Sequence, residues 1–403
     1  MAKRKRPIEL LLWGATGFTG KLAAEWLAKR YADARVALGG RNQKKLEALR
    51  DELAAIDPKC AAWPIRVADG LDVPALDKIV PEASSVAALA GPFAIHGREL
   101  AAACARHGTD YCDITGEVPF ARELIDRNDA RAKESGARLV PFCGFDSIPS
   151  DLGVFALQKY ANAELGAPCA SATFVLVRAR GGVSGGTAAS AMNLMEVASR
   201  DHDVAKMMSN PYALADGGGP SKDARGAKKL AEGWTAPFFM DTVNSRVVHR
   251  TNALLGYPYG RDFRYEERMV VGRGASGFVR AAVTSAGLAI GPRALAIGPI
   301  RSLAKRLIPA PGEGPRKEDR EGGSFDVHVV GRNARGEIVA TCKVSGAGDP
   351  GYTGAAKMVV ESALCLSRDV EGPGGVTTPA AAMGDALVRR LREAGIVIDV
   401  TSG

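Results

Sequence analysis

A chain of 403 residues is longer than one ordinary core accommodates and suits two domains. Its hydrophobic share of 46% and charged share of 24% match a globular protein that folds in water, which excludes a disordered chain and one embedded in a bilayer. Of the formal charge of +8, four units come from Lys3, Arg4, Lys5 and Arg6; no other dense basic run interleaved with aromatics follows, so nucleic acid is not an expected partner.

The first 150 residues alternate short apolar runs with amphipathic helical patterns. Strands are predicted at 8–13, 35–38, 62–67, 85–89, 111–114 and 138–142, and helices at 20–30, 44–56, 73–80, 98–107 and 120–135. The basic start before residue 8 imitates a signal peptide. Its apolar run is too short, ends in glycines and lacks a small-residue cleavage site, so it reads as a buried first strand. Six strands with right-handed crossovers make an α/β fold, a doubly wound parallel sheet of the Rossmann type.

The junction after the first strand, "LLLWGATGFTGKLAAEW", spaces Gly14, Gly17 and Gly20 as G-x-x-G-x-x-G. Free backbone N–H groups at a helix start point at whatever occupies such a turn, and glycine lets a pyrophosphate come close. Ala15, Thr16, Phe18 and Thr19 complete the predicted cradle. An NAD site usually carries an acid about 20 residues further on, for the ribose 2′-hydroxyl. Here "GGRNQKK" offers Arg41 and Asn42 instead, with Arg41 standing 21 residues after Gly20. A guanidinium suits a 2′-phosphate, so NADP is the expected cofactor.

After the third strand, Asp69 is placed to accept from an adenine amine, with helix capping as the alternative. After the fourth, "AGPFAIHG" brings Gly91, Pro92 and Phe93 towards the nicotinamide ribose, while His96 reads as structural. Beyond "GFDSIPSDLG" the rhythm changes. Strand-like stretches at 172–180, 324–331 and 338–345 predict a second, mixed α+β substrate domain over 151–352, and exposed loops are expected at 216–229 and 309–323. Helices at 354–366 and 379–394 lie in a C-terminal segment, 353–403, expected to pack back on the Rossmann domain of 1–150.

Seven scattered cysteines without a C-x-x-C pair argue for reduced thiols in the cytoplasm, with neither a disulfide framework nor a metal site. From Arg268 to Gly312 there are seven Arg or Lys and no acidic residue, on an apolar background. The longest uncharged run there has 12 residues where a span needs about 20, so residues 275–308 are expected to lie on a membrane surface or to pack as core helices.

"GATGFTG", "GGRN", "AGPF", "YCDITGE", "GFDSIPSD", "GGVSGGT", "DPGYTGAAKMVVESALCL" and "GGVTTPAAAMGDAL" together resemble the saccharopine dehydrogenase-like oxidoreductases, and among them the trans-acting enoyl reductases of actinobacterial lipid synthesis. The resemblance spans nearly the whole chain. It implies a Rossmann domain, NADP(H) and a reduced substrate of the polyketide lipid type. Together with the residues it gives the expectation of a cytoplasmic NADPH-dependent reductase of an enone or ketone on a hydrophobic substrate, with peripheral membrane contact through 275–308 and a homodimer both left open. A dehydrogenase acting on an amino-acid-derived imine, and a sensor or scaffold that binds NADP without turnover, stay open.

Hydride transfer to such a substrate leaves negative charge on oxygen and calls for a donor beside it. Candidates are Tyr111, Asp113 and Glu117 after the fifth strand, Asp146 and Ser147 after the sixth, and Tyr352 at the start of a late helix. For Asp113 and Asp146 helix capping is the competing role. Ser184 and Thr187 in "GGVSGGT" offer a second nest of backbone donors, with close helix packing as the alternative.

Overall fold

The structure, a computed structural model, describes residues 6–181, 197, 201–295 and 316–403. The chain begins β1 (Ile8–Trp13), α1 (Phe18–Tyr31), β2 (Val36–Gly40), α2 (Gln43–Ala54), β3 (Ile65–Val67), α3 (Val73–Ile79), β4 (Ala83–Ala88) and α4 (Phe93–His96). It continues with α5 (Arg98–His107), β5 (Asp110–Asp113), α6 (Val118–Ser135), β6 (Arg138–Val140), α7 (Ile148–Glu164) and β7 (Ser171–Arg180). Next come α8 (His202–Met208), β8 (Lys228–Leu230), β9 (Gly233–Pro237), α9 (Asp241–Leu254), β10 (Arg264–Gly272) and α10 (Gly274–Leu295). The last are α11 (Lys317–Glu321), β11 (Ser324–Arg332), β12 (Ile338–Ala347), α12 (Ala355–Arg368), β13 (Gly375–Val376), α13 (Pro379–Glu393) and β14 (Ile396–Ser402).

Two compact units emerge, one from residues 6–145 with 351–394, the other from the described residues between 146 and 350 with 395–403. The first holds a seven-stranded sheet in the order β13-β6-β5-β4-β1-β2-β3, parallel throughout. Leu10, Leu11 and Leu12 of β1 are fully buried, as a central strand covered on both faces requires. The chain order reverses between β1 and β4, which places a topological switch point there. In open α/β sheets ligands bind at such a point, beyond the carboxyl ends of the strands.

α12 packs on α1, β1, β4 and β5, and so covers the sheet of the first unit late in the chain. Glu361 anchors it: its carboxylate accepts from Trp26 Nε1 at 2.9 Å and Tyr31 Oη at 2.9 Å, and pairs with Arg390 of α13 at 3.0 Å. The sequence reading of 353–403 as helices is amended by two strands, since β13 extends the first sheet and β14 pairs with β12.

The second unit holds a mixed sheet in the order β14-β12-β11-β7-β10-β9-β8, with β7 and β10 parallel and the other pairs antiparallel. α7 lies on it where Gly153 has no side chain, since a Cβ there would be 2.9 Å from a methyl of Val329. The proposed nest at Ser184 and Thr187, and residues 296–308 of the basic apolar segment, lie outside the described residues.

Candidate functional site

The glycine turn joins β1 to α1. Gly14 adopts φ +80°, a left-handed conformation that favours glycine, and its missing Cβ would lie 2.9 Å from Ala90 N in the loop after β4. A Cβ on Gly20 would come within 2.8 Å of the carbonyl of Ala15. α1 therefore starts hard against the turn, with Gly17 as its N-cap. That cap supplies no side-chain hydrogen bond, and no acid stands in the first turn. The leading N–H groups of α1 thus lack the cap that many helices provide, and the end of the helix favours an anion.

Phe18, the first residue of α1, packs edge-on against Tyr352, with ring centroids 4.7 Å apart and planes at 66°. Tyr352 is buried at 3% exposure, so this catalytic candidate forms the back of the turn.

Arg41 is exposed immediately after β2. Asn42, predicted beside it as a phosphate contact, caps α2 instead, its Oδ1 accepting from Lys45 N at 3.0 Å. Asp69 accepts from Leu71 N at 3.0 Å, and the cap of α3 is Asp72. The residues of the turn and Arg41 therefore fit a dinucleotide bearing a 2′-phosphate: a helix start with neither a side-chain cap nor an acid in its first turn, glycines in the turn before it, and a cation in place of the acid.

The predicted acids beyond the sheet lie deeper than a direct catalytic role needs. Asp113 is fully buried. Its Oδ2 accepts from Tyr111 Oη at 2.8 Å, and its Oδ1 from Thr115 N at 2.9 Å and Phe142 N at 3.3 Å. Burial pushes the Asp113 carboxyl up to about 7, against the pull of those donors. Glu117 is 4% exposed, and its two oxygens accept from Phe93 N and Ala94 N, each at 3.0 Å. Both acids hold backbone, and Glu117, rather than Asp113, is the N-cap residue of α6. The turn at Gly91, Pro92 and Phe93 sits above this anchor, with a cis bond between Gly91 and Pro92.

In the second unit Ser147 is the N-cap residue of α7 and is buried, its hydroxyl donating to Asn244 Oδ1 at 2.8 Å. Asn244 Nδ2 donates to Glu267 Oε2 at 2.9 Å, and Glu267 Oε1 accepts from Ser150 Oγ and Tyr265 Oη, both at 2.6 Å. Burial pushes the Glu267 carboxyl up to about 7, although all three donors favour its charged form. Asp146 next to Ser147 is only half-buried. Sequence reasoning missed the Glu267 cluster, because its members come from α7, α9 and β10 and share no motif.

All seven cysteines are buried free thiols. Among the described residues no group of three His, Cys, Asp or Glu can hold a metal ion, and no helix is long and apolar enough to cross a membrane.

Comparison with known proteins matches residues 10–140 to the saccharopine dehydrogenase NADP binding domain family. A Mycobacterium tuberculosis protein, provisionally named a trans-acting enoyl reductase, is 40% identical, covering 100% of this chain and 99% of its own. A trans-acting enoyl reductase of Mycobacterium ulcerans is 38% identical with the same coverage. Among solved structures, a saccharopine dehydrogenase (L-Glu forming) from Saccharomyces cerevisiae aligns over 98% of this chain and 100% of its own, with TM-score 0.53 and 15% identity. That last likeness shows the fold alone.

Proposed function

The chain belongs to the saccharopine dehydrogenase-like oxidoreductases, as a full-length relative of the trans-acting enoyl reductases, and from that premise we propose that it is an NADPH-dependent enoyl reductase acting on a hydrophobic acyl substrate of the lipid or polyketide type. One observation carries the reading: α1 starts from a glycine cap with no side-chain bond and no acid in its first turn, and Arg41 follows where an NAD site would hold an acid.

When bound, NADPH supplies the hydride that reduces a carbon–carbon double bond conjugated to a carbonyl. The chain's own residues do the rest. The N–H groups at the start of α1 would hold the pyrophosphate, Gly14, Gly17 and Gly20 let the turn close on its own backbone, and Arg41 would pair with the 2′-phosphate. Asp113 and Glu117 are buried and position backbone, while the buried Ser147 donates to Asn244 and Tyr352 packs against Phe18. Of the six acid or hydroxyl candidates Asp146 alone has partial solvent access, and we assign it the proton-donating role.

The exposed face of α10 supports a membrane contact. Phe278, Val279, Val283 and Ile290 are 48%, 58%, 66% and 62% exposed, and the chain around them is basic without an acid from Arg268 to Gly312. Such a face suits an anionic bilayer and an enzyme whose substrate is drawn from it. Binding to anionic vesicles that Val283→Asp with Ile290→Asp abolishes would support this, whereas a doubled mass in solution that the same variant halves would assign the face to a second copy of the chain.

The test of the main reading is titration with NADPH and NADH, followed by nicotinamide fluorescence, and then addition of enoyl thioesters. NADPH-selective binding and oxidation of the bound coenzyme by an enone, lost in Asp146→Asn with binding retained, is the expected result. Binding without oxidation by any enone, ketone or imine would make the protein a sensor or scaffold, and oxidation by imines alone would make it an amino-acid-type dehydrogenase.

A further inference from the structure

One loop, between β5 and α6, braces the carboxyl ends of three neighbouring strands. Asp113 receives the N–H of Phe142 on its carboxylate and that of Cys143 on its carbonyl at 2.7 Å, which fixes the turn after β6, where Phe142 holds φ +69°. Thr115 links the two acids, its N–H bonding Asp113 and its Oγ1 accepting from Glu117 N at 3.0 Å. Glu117 then reaches under the turn after β4 and takes both Phe93 N and Ala94 N.

That turn borders the switch point, because the loop after β1 touches it at Gly14 and Ala90. Arg41, at the end of β2, marks the adenosine side of the sheet. A dinucleotide crossing the switch point from there would bring its nicotinamide half towards the carboxyl ends of β4 and β5. We propose that Glu117 is a positioning residue for the nicotinamide half of the coenzyme. Its carboxylate fixes the backbone of residues 91–94 as the wall against which that half lies. The inference rests on the coenzyme reading above, and adds to it a division of labour between the two halves.

The division gives the test. Adenosine 2′,5′-bisphosphate carries the 2′-phosphate end of the coenzyme without the nicotinamide half. Calorimetric titration of the full chain is expected to show wild type binding both ligands. In Glu117→Gln, an amide donor faces one of the two N–H groups, and NADPH should bind about tenfold more weakly while the bisphosphate stays within about twofold. Equal losses for both ligands, or no loss for NADPH, would overturn the proposal. Wild type that binds neither ligand would overturn the coenzyme reading, and the clamp with it, which is a separate result.

Should the variant fail to fold, amide hydrogen exchange on wild type decides. Phe93 and Ala94 should be protected in the free chain and slow further with NADPH but not with the bisphosphate. Exchange at unprotected rates, or equal slowing by both ligands, overturns the clamp.

Discussion

A Cβ built on Gly20 would stand 2.2 Å from the carbonyl oxygen of Gly14, closer than any rotamer or small shift relieves. The first turn of α1 thus meets the turn after β1 backbone to backbone. Gly20→Ala should therefore push the helix from the strand, costing about 1–3 kcal/mol of stability by overpacking and moving the donors at the helix start. Urea unfolding measures the first effect, and a loss of NADPH affinity of about tenfold or more measures the second.

Arg41 is exposed and follows β2 directly. A charge-assisted hydrogen bond to a phosphate contributes about 1.5–3 kcal/mol. Arg41→Ala should raise the NADPH dissociation constant roughly tenfold to a hundredfold and leave NADH unchanged. Unchanged selectivity in paired titrations would remove the 2′-phosphate assignment.

Glu267 gives the protein a pH dependence of defined sign. Its carboxyl rises from an ordinary 4.5 to about 7 because burial disfavours the charge. The folded state then holds a proton that the unfolded chain has released. The corresponding stability is complete below about pH 4.5 and is lost as pH rises through about 7. Asp113 acts in the same direction. Melting temperatures of Glu267→Gln should fall less than those of wild type over that interval, by the equivalent of on the order of 3 kcal/mol.

Arg138 and Asp110 form a buried pair at 2.6 Å, with side chains 3% and 2% exposed. The same guanidinium donates to the carbonyls of Leu366 at 2.6 Å and Val370 at 2.9 Å, so it ties β6 to the end of α12. Arg138→Met leaves a carboxylate buried without its guanidinium and should cost about 3–5 kcal/mol in urea unfolding, part of which Asp110→Leu in the same chain restores.

The first unit was legible in the sequence because its strands are apolar runs closed by glycine: β1 matches its predicted range, and β2, β4, β5 and β6 lie within two residues of theirs at each end. The second unit was not. α9 buries Asp241, Asn244, Ser245, Arg246, His249, Arg250, Thr251 and Asn252 along with Val243, Val247 and Val248, so it has no polar face to set a period. β10 buries Glu267 and Arg268, charges that argue against an interior strand in any sequence reading. α7 and β9 escaped prediction as well. At the candidate site, glycine announces itself, because the backbone demands it. A carboxylate does not: nothing in the letters of Asp113 or Glu117 tells whether their oxygens meet a substrate or a neighbour's N–H.

Residues 351–394 complete a unit whose other part ends at residue 145, and 395–403 complete the other. During synthesis, then, neither unit can close in the order in which it is made. The first sheet must wait, some two hundred residues after β6 has been made, for α12 to cover it, and Glu361 to meet Trp26 and Tyr31. A ribosome that stalls after β12 leaves both halves open at once, with the apolar sheet of the first exposed to proteases and chaperones. Removal of the last fifty residues should accordingly yield an insoluble protein rather than a smaller enzyme.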